Sequence, residues 1–269
     1  EGGPVDPTGA RALCAGLDGV VRVFDLAARR EEDALAGHEG AVTSAAFAGP
    51  PRALSGGRDR TVRLWELGGK GGSAVLATHG DVVAAVDASP DGARGASASW
   101  DGTVRLFDLR RRETAHVLEG HSAHVSSVRF APGARLLASG GWDGTARLWD
   151  AQSGAPLGVL DAEGENVTSL AVHGERVAAG SESGAVRLWN VRSRRHERRL
   201  DVHQAEVTGL AFTPDGRFLL SSGRDRSVRV VDLRSGETVR ELAHPALVPG
   251  LALTPVGNVL LTAGGDGTA

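Results

Sequence analysis

A set of four side chains recurs along the chain and could supply the chemistry of a hydrolase. Histidine, serine, aspartate and tryptophan occur in this order and at similar spacing at His38, Ser55, Asp59 and Trp65, and again at His121, Ser139, Asp143 and Trp149. A Ser-His-Asp triad needs an exposed hydroxyl beside an oxyanion hole. Recurrence of the whole set at a fixed period instead favours a structural role, and we predict no catalytic residue in the chain.

The elements that must position these residues form a sequence repeat. The turns of successive copies begin 40 to 42 residues apart. The copies occur at 18–25, 59–66, 101–108, 143–150, 183–190, 225–232 and from Asp266 onward. Each copy has a glycine- or serine-rich step, a turn, a short apolar strand with one arginine, and in most copies an aromatic residue followed by an acid. Short β-branched and aromatic segments between Gly, Pro and Asp turns indicate strands rather than helices. Each period therefore predicts four short strands in an all-β fold.

This repeat resembles the WD40-repeat family, in which about 40 to 45 residues form each four-stranded blade of a β-propeller. The best stretch runs from Gly120-His121 through Ser139 and Asp143 to Trp149-Asp150, and the resemblance covers essentially the whole chain. It implies a single WD40 β-propeller domain at 1–269, with seven repeats of which the first and the last are truncated. The predicted ranges are blade 1 at 5–36, blade 2 at 41–78, blade 3 at 82–119, blade 4 at 124–161, blade 5 at 166–201, blade 6 at 206–242 and an incomplete blade 7 at 247–269.

Both chain ends are predicted to leave the ring incomplete. The first residue is Glu1 rather than methionine, which favours a segment of a longer protein unless a leader was removed. Blade 1 is expected to keep three strands and a remnant of its inner strand, and blade 7 only two. WD40 rings usually close by combining strands from both chain ends in one blade, so we expect an open seam between blades 7 and 1.

The resemblance also implies a role for the repeated polar residues. In the family, the matching positions form a buried chain of hydrogen bonds from the indole N–H through the hydroxyl and the imidazole to the carboxylate, which satisfies groups that would otherwise cost ~1–3 kcal/mol each. The residues assigned to this network are His38, Ser55, Asp59, Trp65, His79, Ser97, Asp101, His121, Ser139, Asp143, Trp149, His203, Ser221 and Asp225. Blades 3 and 6 have Phe107 and Val231 in place of tryptophan, and blade 5 keeps only Trp189. We therefore expect blade 5 to be the least rigid.

The residue before each turn aspartate is predicted to lie on one rim of the ring, the top face, because that turn joins the second and third strands. Trp100 and Trp142 occupy this position in neighbouring blades. They either lie flat on their own blades or form one apolar patch, and tryptophan and arginine are enriched in interface hot spots. The predicted top-face binding residues are Arg58, Trp100, His124, Trp142, Asn166, Glu182, Glu206 and Arg224. We expect a protein or peptide partner over blades 2 to 5, with Arg58 favouring an acidic group.

Other motifs are interpreted as structural. One arginine per blade is expected to pair locally between blades rather than to form a row of phosphate-binding residues. These arginines are Arg22, Arg63, Arg105, Arg147, Arg187 and Arg229.

The glycine-rich segment 68–73 lacks the helix of a phosphate loop, and His121 and His124 lack a third metal ligand. No cofactor and no metal is therefore predicted. Asp108-Leu-Arg110 and Asp232-Leu-Arg234 resemble a docking box for a cullin-RING ligase adaptor, but each lacks the preferred tryptophan and is also explained as a charged turn.

Composition narrows the classes of function. The chain has 30 Lys and Arg residues against 33 Asp and Glu, and its basic residues are interpreted as dispersed, so no specific nucleic-acid partner is predicted. No apolar run reaches the ~18 residues of a membrane span and no signal peptide begins the sequence, so we expect a cytoplasmic protein with no membrane contact.

The predicted function is a non-enzymatic interaction scaffold for a protein or peptide, because function on a propeller depends on sites added to the fold. Two alternatives stay open. One is a sensor array attached to a kinase or NTPase domain outside this segment. The other is a substrate receptor of a cullin-RING ubiquitin ligase. The sequence makes no prediction of the oligomeric state.

Overall fold

The chain folds into a ring of β-sheets in a computed structural model, which describes residues 2–68, 72–254 and 259–263. These residues form 26 strands and no helix. Six sheets contain four antiparallel strands in chain order, and the seventh contains two. The predicted all-β propeller is therefore confirmed, with six four-stranded blades and a two-stranded sheet from the described part of the seventh repeat. Lys70, Gly265 and Asp266 lie outside the described residues.

The strands of the first four blades follow the predicted repeat. Blade 1 contains β1 (Gly2–Val5), β2 (Arg11–Ala15), β3 (Val20–Asp25) and β4 (Arg30–Ala36). Blade 2 contains β5 (Val42–Phe47), β6 (Arg52–Gly57), β7 (Thr61–Glu66) and β8 (Ser73–Thr78). Blade 3 contains β9 (Val83–Ala88), β10 (Arg94–Ser99), β11 (Val104–Asp108) and β12 (Glu113–Leu118). Blade 4 contains β13 (Val125–Phe130), β14 (Leu136–Gly141), β15 (Thr145–Asp150) and β16 (Pro156–Asp161).

The remaining strands complete the ring. Blade 5 contains β17 (Val167–His173), β18 (Arg176–Ser181), β19 (Ala185–Asn190) and β20 (Arg195–Asp201). Blade 6 contains β21 (Val207–Phe212), β22 (Phe218–Gly223), β23 (Ser227–Asp232) and β24 (Thr238–Ala243). Blade 7 contains β25 (Gly250–Leu253) and β26 (Leu260–Ala263). In every complete blade the first strand faces the centre of the ring and the fourth forms its outer edge.

The turn between the second and third strands explains the recurring aspartate. Its carboxylate accepts a hydrogen bond from the backbone N–H two residues later, at 3.1 Å between Asp143 and Thr145. The intervening residue, Gly144, has a left-handed backbone with φ of 74°, which glycine adopts without steric penalty. The turn orients the third strand and places the preceding residue, Trp142, on the top rim.

Neighbouring blades pack closely at their inner strands. A Cβ atom added to Gly140 in β14 would overlap the side chain of Val167 in β17, so glycine is what lets the two sheets approach. The hydroxyl of Ser126 lies 2.5 Å from the carbonyl oxygen of Val167 and ties blade 4 to blade 5. Thr43, Thr168 and Thr208 make the equivalent contact in other blades.

The ends of the chain differ from the prediction. Blade 1 has a four-residue inner strand, because β1 pairs with β2 through Gly2↔Cys14 and Val5↔Ala12. Strand β1 also packs against β25, so the predicted open seam is wrong for the inner ring. Further out, blades 7 and 1 border a cleft of about 690 Å³, lined by Leu13, Phe24 and Leu261 among the described residues. The short Gly-Gly-Pro-Val strand escaped the sequence pattern because backbone pairing holds it, whereas glycine and proline have low strand propensity.

Candidate functional site

In blade 4 the repeated polar residues form one buried network. Asp143 accepts a hydrogen bond of 2.9 Å from the His121 Nδ1–H, and His121 Nε2 lies 2.8 Å from the Ser139 hydroxyl. The Trp149 indole N–H donates to the same hydroxyl at 2.9 Å. Ser139 is fully buried, so its oxygen cannot reach a substrate. This geometry ties four elements together and lacks the exposed nucleophile that a hydrolase requires.

The other blades carry the network in full or in part. In blade 2, Ser55 Oγ lies 2.7 Å from His38 Nε2 and accepts a 2.7 Å bond from Trp65. Blades 3 and 6 keep the histidine, serine and aspartate contacts but have buried Phe107 and Val231 at the tryptophan position. The histidine, serine and aspartate side chains in contact in blades 3 and 6, and the aspartate of blade 2, are His79, Ser97, Asp101, His203, Ser221, Asp225 and Asp59.

Burial changes the acid–base properties of the network. Desolvation lowers the pKa of His38, His79, His121 and His203, although the neighbouring aspartates oppose it. Burial tends to raise the pKa of the Asp101 carboxyl, but hydrogen bonds from Thr103, Gly80 and His79 outweigh it and hold that pKa at about 2. The folded network therefore consists of neutral imidazoles beside ionised carboxylates.

These pKa shifts predict an acid-sensitive fold. The four histidines take up protons more readily when unfolded, so stability is full above their ordinary pKa of 6.5 and falls as the pH drops below it towards the lowered folded-state values. The aspartates add a further loss below their ordinary pKa of 3.8. Equilibrium unfolding between pH 8 and pH 5 should show net proton uptake on unfolding. A flat stability profile over this window would contradict the neutral-imidazole network.

Blade 5 replaces the network by ion pairs. Arg187 is only 3% exposed and lies 2.7 Å from Glu163 and 2.9 Å from Glu165. Burial opposes the charged guanidinium, but the two glutamates outweigh it and raise the pKa of Arg187. Ser183 donates a 2.8 Å hydrogen bond to Glu165. The sequence shows only that blade 5 lacks the histidine and serine of the network, whereas the structure shows that ion pairs and a hydrogen bond replace them. The low rigidity of blade 5 stays a prediction.

Three aromatic rings form a cluster on the top rim of blades 3 and 4. The Trp100 indole stacks on the His124 imidazole, with ring centroids 5.4 Å apart and planes 9° apart. The Trp142 ring is the third member, with its centroid 5.2 Å from that of His124 and 6.4 Å from that of Trp100. Trp142 remains 45% exposed. We call Trp100, His124 and Trp142 the aromatic cluster.

The other predicted rim residues surround this cluster but differ in their partners. The Asn166 side-chain amide donates a 2.9 Å hydrogen bond to Glu182, and Arg224 pairs with Glu206 at 2.6 Å. Arg58 is exposed and has no ion pair among the described residues. Of the two predicted rim arginines, Arg58 is therefore the one whose charge is open to a ligand.

The comparison with family models decides the family. The model described as "WD domain, G-beta repeat" matches residues 30–66, 73–108, 112–150, 154–190 and 194–232. The chain belongs to the WD40 family. A comparison with curated proteins found no match. The matched WD40 windows run from the outer strand of one blade to the third strand of the next, so together they extend from β4 of blade 1 to β23 of blade 6.

Arg22, Arg63 and Arg229 of this WD40 series pair with side chains of their own blade, so the prediction of pairing between blades is wrong for them. Arg105 and Arg147 have no ion pair among the described residues, and the Nε of each is buried without a hydrogen bond. Arg229 lies 3.6 Å from Asp225 and 3.2 Å from Glu241 of its own blade. Arg63 donates a 3.0 Å hydrogen bond to Ser73 on the adjacent outer strand. Arg63 and Arg229 reach the adjacent outer strand because cross-strand neighbours lie close together on one face of a sheet.

The acid that follows the third strand caps a WD40 turn. Asp108 accepts hydrogen bonds from the backbone N–H groups of Arg110 and Arg111 at 2.9 and 3.0 Å. Asp150 caps the equivalent turn in blade 4 through Gln152. Because most blades share this cap, the Asp-Leu-Arg sequences have a structural explanation that needs no ligase adaptor.

The interpretation of dispersed charge is wrong for one WD40 segment. Residues 192–199 contain five arginines and one histidine against a single glutamate. The net charge of the whole chain, −3, gives no sign of this run, because acidic residues elsewhere balance it.

Within the described residues, no group of three or more histidine, cysteine or acidic side chains is arranged to hold a metal. The same part of the chain has no helix long and apolar enough to cross a membrane.

Proposed function

We propose that the chain is a non-enzymatic scaffold that holds a protein or peptide partner on its top face, over blades 2 to 5. WD40 propellers are generally protein-interaction platforms, in agreement with the family match. The observation that carries the more specific proposal is the aromatic cluster. It presents two indoles on a rim where the other described blades have arginine, glutamate or leucine.

The aromatic cluster has the properties of an interface anchor. Trp100 belongs to blade 3 but stacks on His124 of blade 4, so it reaches across the blade boundary instead of lying flat on its own sheet. The stacking restricts the rings before binding, which reduces the entropy lost when a partner orders them. Trp142, at 45% exposure, leaves a large apolar surface in contact with water. A partner that covers it gains the burial of that surface.

Charge around the cluster favours one orientation of the partner. Arg58, on blade 2, is open to an acidic group, whereas Arg224 on blade 6 is already neutralised by Glu206 at 2.6 Å. Glu182, on the blade 5 side, accepts a hydrogen bond from Asn166. We therefore propose that the acidic part of the partner lies towards blade 2.

The experiment first identifies the partner and then measures its affinity. A photo-crosslinker at Glu182 on the top face, with Arg135 on the opposite face as a matched control, selects proteins that contact the rim in extracts of the source cells. For a partner found only with the first position, Trp100→Ala with Trp142→Ala should weaken binding by about 2–4 kcal/mol, measured by calorimetry. Thermal stability should stay nearly unchanged.

A matched control replaces an exposed apolar residue far from the rim. Val239 on β24 is 55% exposed, and Val239→Ala should leave the affinity within the error of the measurement. If the double tryptophan variant kept its affinity and lost thermal stability, the indoles would be packing residues and the proposed site would be wrong.

A further inference from the structure

The outer strand of blade 5 carries an exceptional positive charge. Its turn and strand, residues 192–199, hold five arginines and one glutamate. The equivalent segments of the other blades provide an internal comparison, since they occupy the same place in the fold. Residues 110–118 of blade 3 hold three arginines and one glutamate, and residues 234–243 of blade 6 hold two arginines and two glutamates. Residues 152–161 of blade 4 hold one aspartate and no arginine.

Part of this charge is neutralised and part is not. Arg192 pairs with Glu175 at 2.7 Å, and Arg199 lies 3.0 Å from Asp201. The single acid of the segment, Glu197, is taken by Arg176 at 3.1 Å. Three arginines have no carboxylate within ion-pair distance among the described residues of the chain: Arg194, Arg195 and Arg198.

Neighbouring blades hold two of these three side chains in place. Arg194 lies over Gly158 of blade 4 and donates a 3.2 Å hydrogen bond to the Leu157 carbonyl. Arg198 packs against Gly236 in the last turn of blade 6. Arg195 is exposed at the beginning of β20. The positive charge is therefore positioned along the strand, which lowers the entropy lost on binding.

The main chain of β20 is also unpaired along one edge among the described strands. Strand β20 pairs with β19 through Arg195↔Asn190 and Arg199↔Arg187, and on its other side no described strand pairs with it. An open edge presents alternate N–H and C=O groups that can accept another strand. Like charges oppose pairing between two copies of this edge, whereas an acidic strand meets opposite charges.

We propose that β20 binds an acidic, extended segment of a partner protein, which adds to blade 5 as a fifth strand. Main-chain hydrogen bonds along the edge hold the segment, and its carboxylates pair with Arg194, Arg195 and Arg198. A nucleic acid also carries negative charge, but it has no polypeptide main chain that could pair with β20. The nearest indole also gives no base platform, because Trp189 is 2% exposed and lies edge-on to His196. This surface is separate from the top face, so it stands independently of the proposed function.

The test uses a fluorescent, end-capped peptide of alternating glutamate and threonine, matched to the seven residues of β20. Replacing Arg194, Arg195 and Arg198 together by glutamine should weaken its binding about tenfold, measured by fluorescence anisotropy. The control variant replaces Arg110, Arg111 and Arg112 of blade 3 by glutamine, which removes the same charge from an equivalent turn. It should change binding less than about twofold.

A second peptide separates charge from strand pairing. With alternate backbone nitrogens methylated, it keeps its glutamates but loses main-chain donors, and it should bind at least about fivefold more weakly. If the triple variant unfolds, Arg195→Glu alone replaces it, because this side chain is exposed. Equal binding of the methylated peptide, or unchanged binding by the arginine variants, overturns the proposal. Tighter binding of an oligothymidylate, lost in the same variants, would assign the edge to nucleic acid and also overturn it.

Discussion

Replacing Ser139 by alanine is expected to lower the free energy of unfolding by about 2–6 kcal/mol, because two buried groups lose their only common partner at ~1–3 kcal/mol each. His121 Nε2 and the Trp149 indole N–H both meet this hydroxyl, at 2.8 and 2.9 Å. The substitution leaves almost no cavity, so the loss reports on the hydrogen bonds. Urea unfolding at pH 7.5 measures it.

Blade 6 supplies the matched control for this prediction. Ser221 is equally buried, but it lies 2.8 Å from His203 alone, since Val231 replaces the tryptophan. Ser221→Ala should therefore cost about 1–3 kcal/mol, roughly half as much. Equal losses at the two positions would show that the indole bond contributes nothing to the stability of the network.

The second large effect is expected in blade 5. Arg187→Met should lower the free energy of unfolding by about 3 kcal/mol, because removing one partner of a buried ion pair leaves Glu163 without its counter-charge and takes one of two arginines from Glu165. The expected loss of stability is at the low end of the range for buried ion pairs, because the Glu163 side chain is 67% exposed and is easily rehydrated. Glu165, at 21% exposure, keeps Arg199 at 3.2 Å as a second partner, which also limits the loss.

The same position in blade 4 provides the comparison. Arg147 forms no ion pair with a described residue, and its Nε is buried without a hydrogen-bond partner. Arg147→Met should therefore be close to neutral, within about 1 kcal/mol. If both variants lost the same stability, the aliphatic stem of the arginine would be the stabilising part and the blade 5 ion pairs would be of little importance.

The repeat was sufficient to predict the strands, because each period carries its own turn, and the propeller followed from the resemblance of that repeat to the WD40 family. The Asp-Gly step specifies a left-handed residue, as at Gly144, and this fixes the strand order in each blade. The inner strand of blade 1 could not be predicted from Gly-Gly-Pro-Val, since its pairing with β2 depends on the ring around it.

The candidate site was partly visible in the sequence. Trp100 and Trp142 depart from the repeat at a rim position, which marks them without any structure. Their stacking on His124 depends on the spacing between two blades and could not be read from one repeat. The Glu163–Arg187 pair was not predicted, because the two residues are 24 positions apart and the other blades have no acid at the position of Glu163.

Hydrogen exchange with and without the identified partner tests the position of the docking surface most directly. The account predicts slower exchange at three top-face segments, the turns at 99–103 and 141–145 and the loop at 122–125, with little change at the opposite turn 131–135. Protection confined to 131–135 or to the outer strands, with unchanged exchange around Trp100, His124 and Trp142, would contradict it.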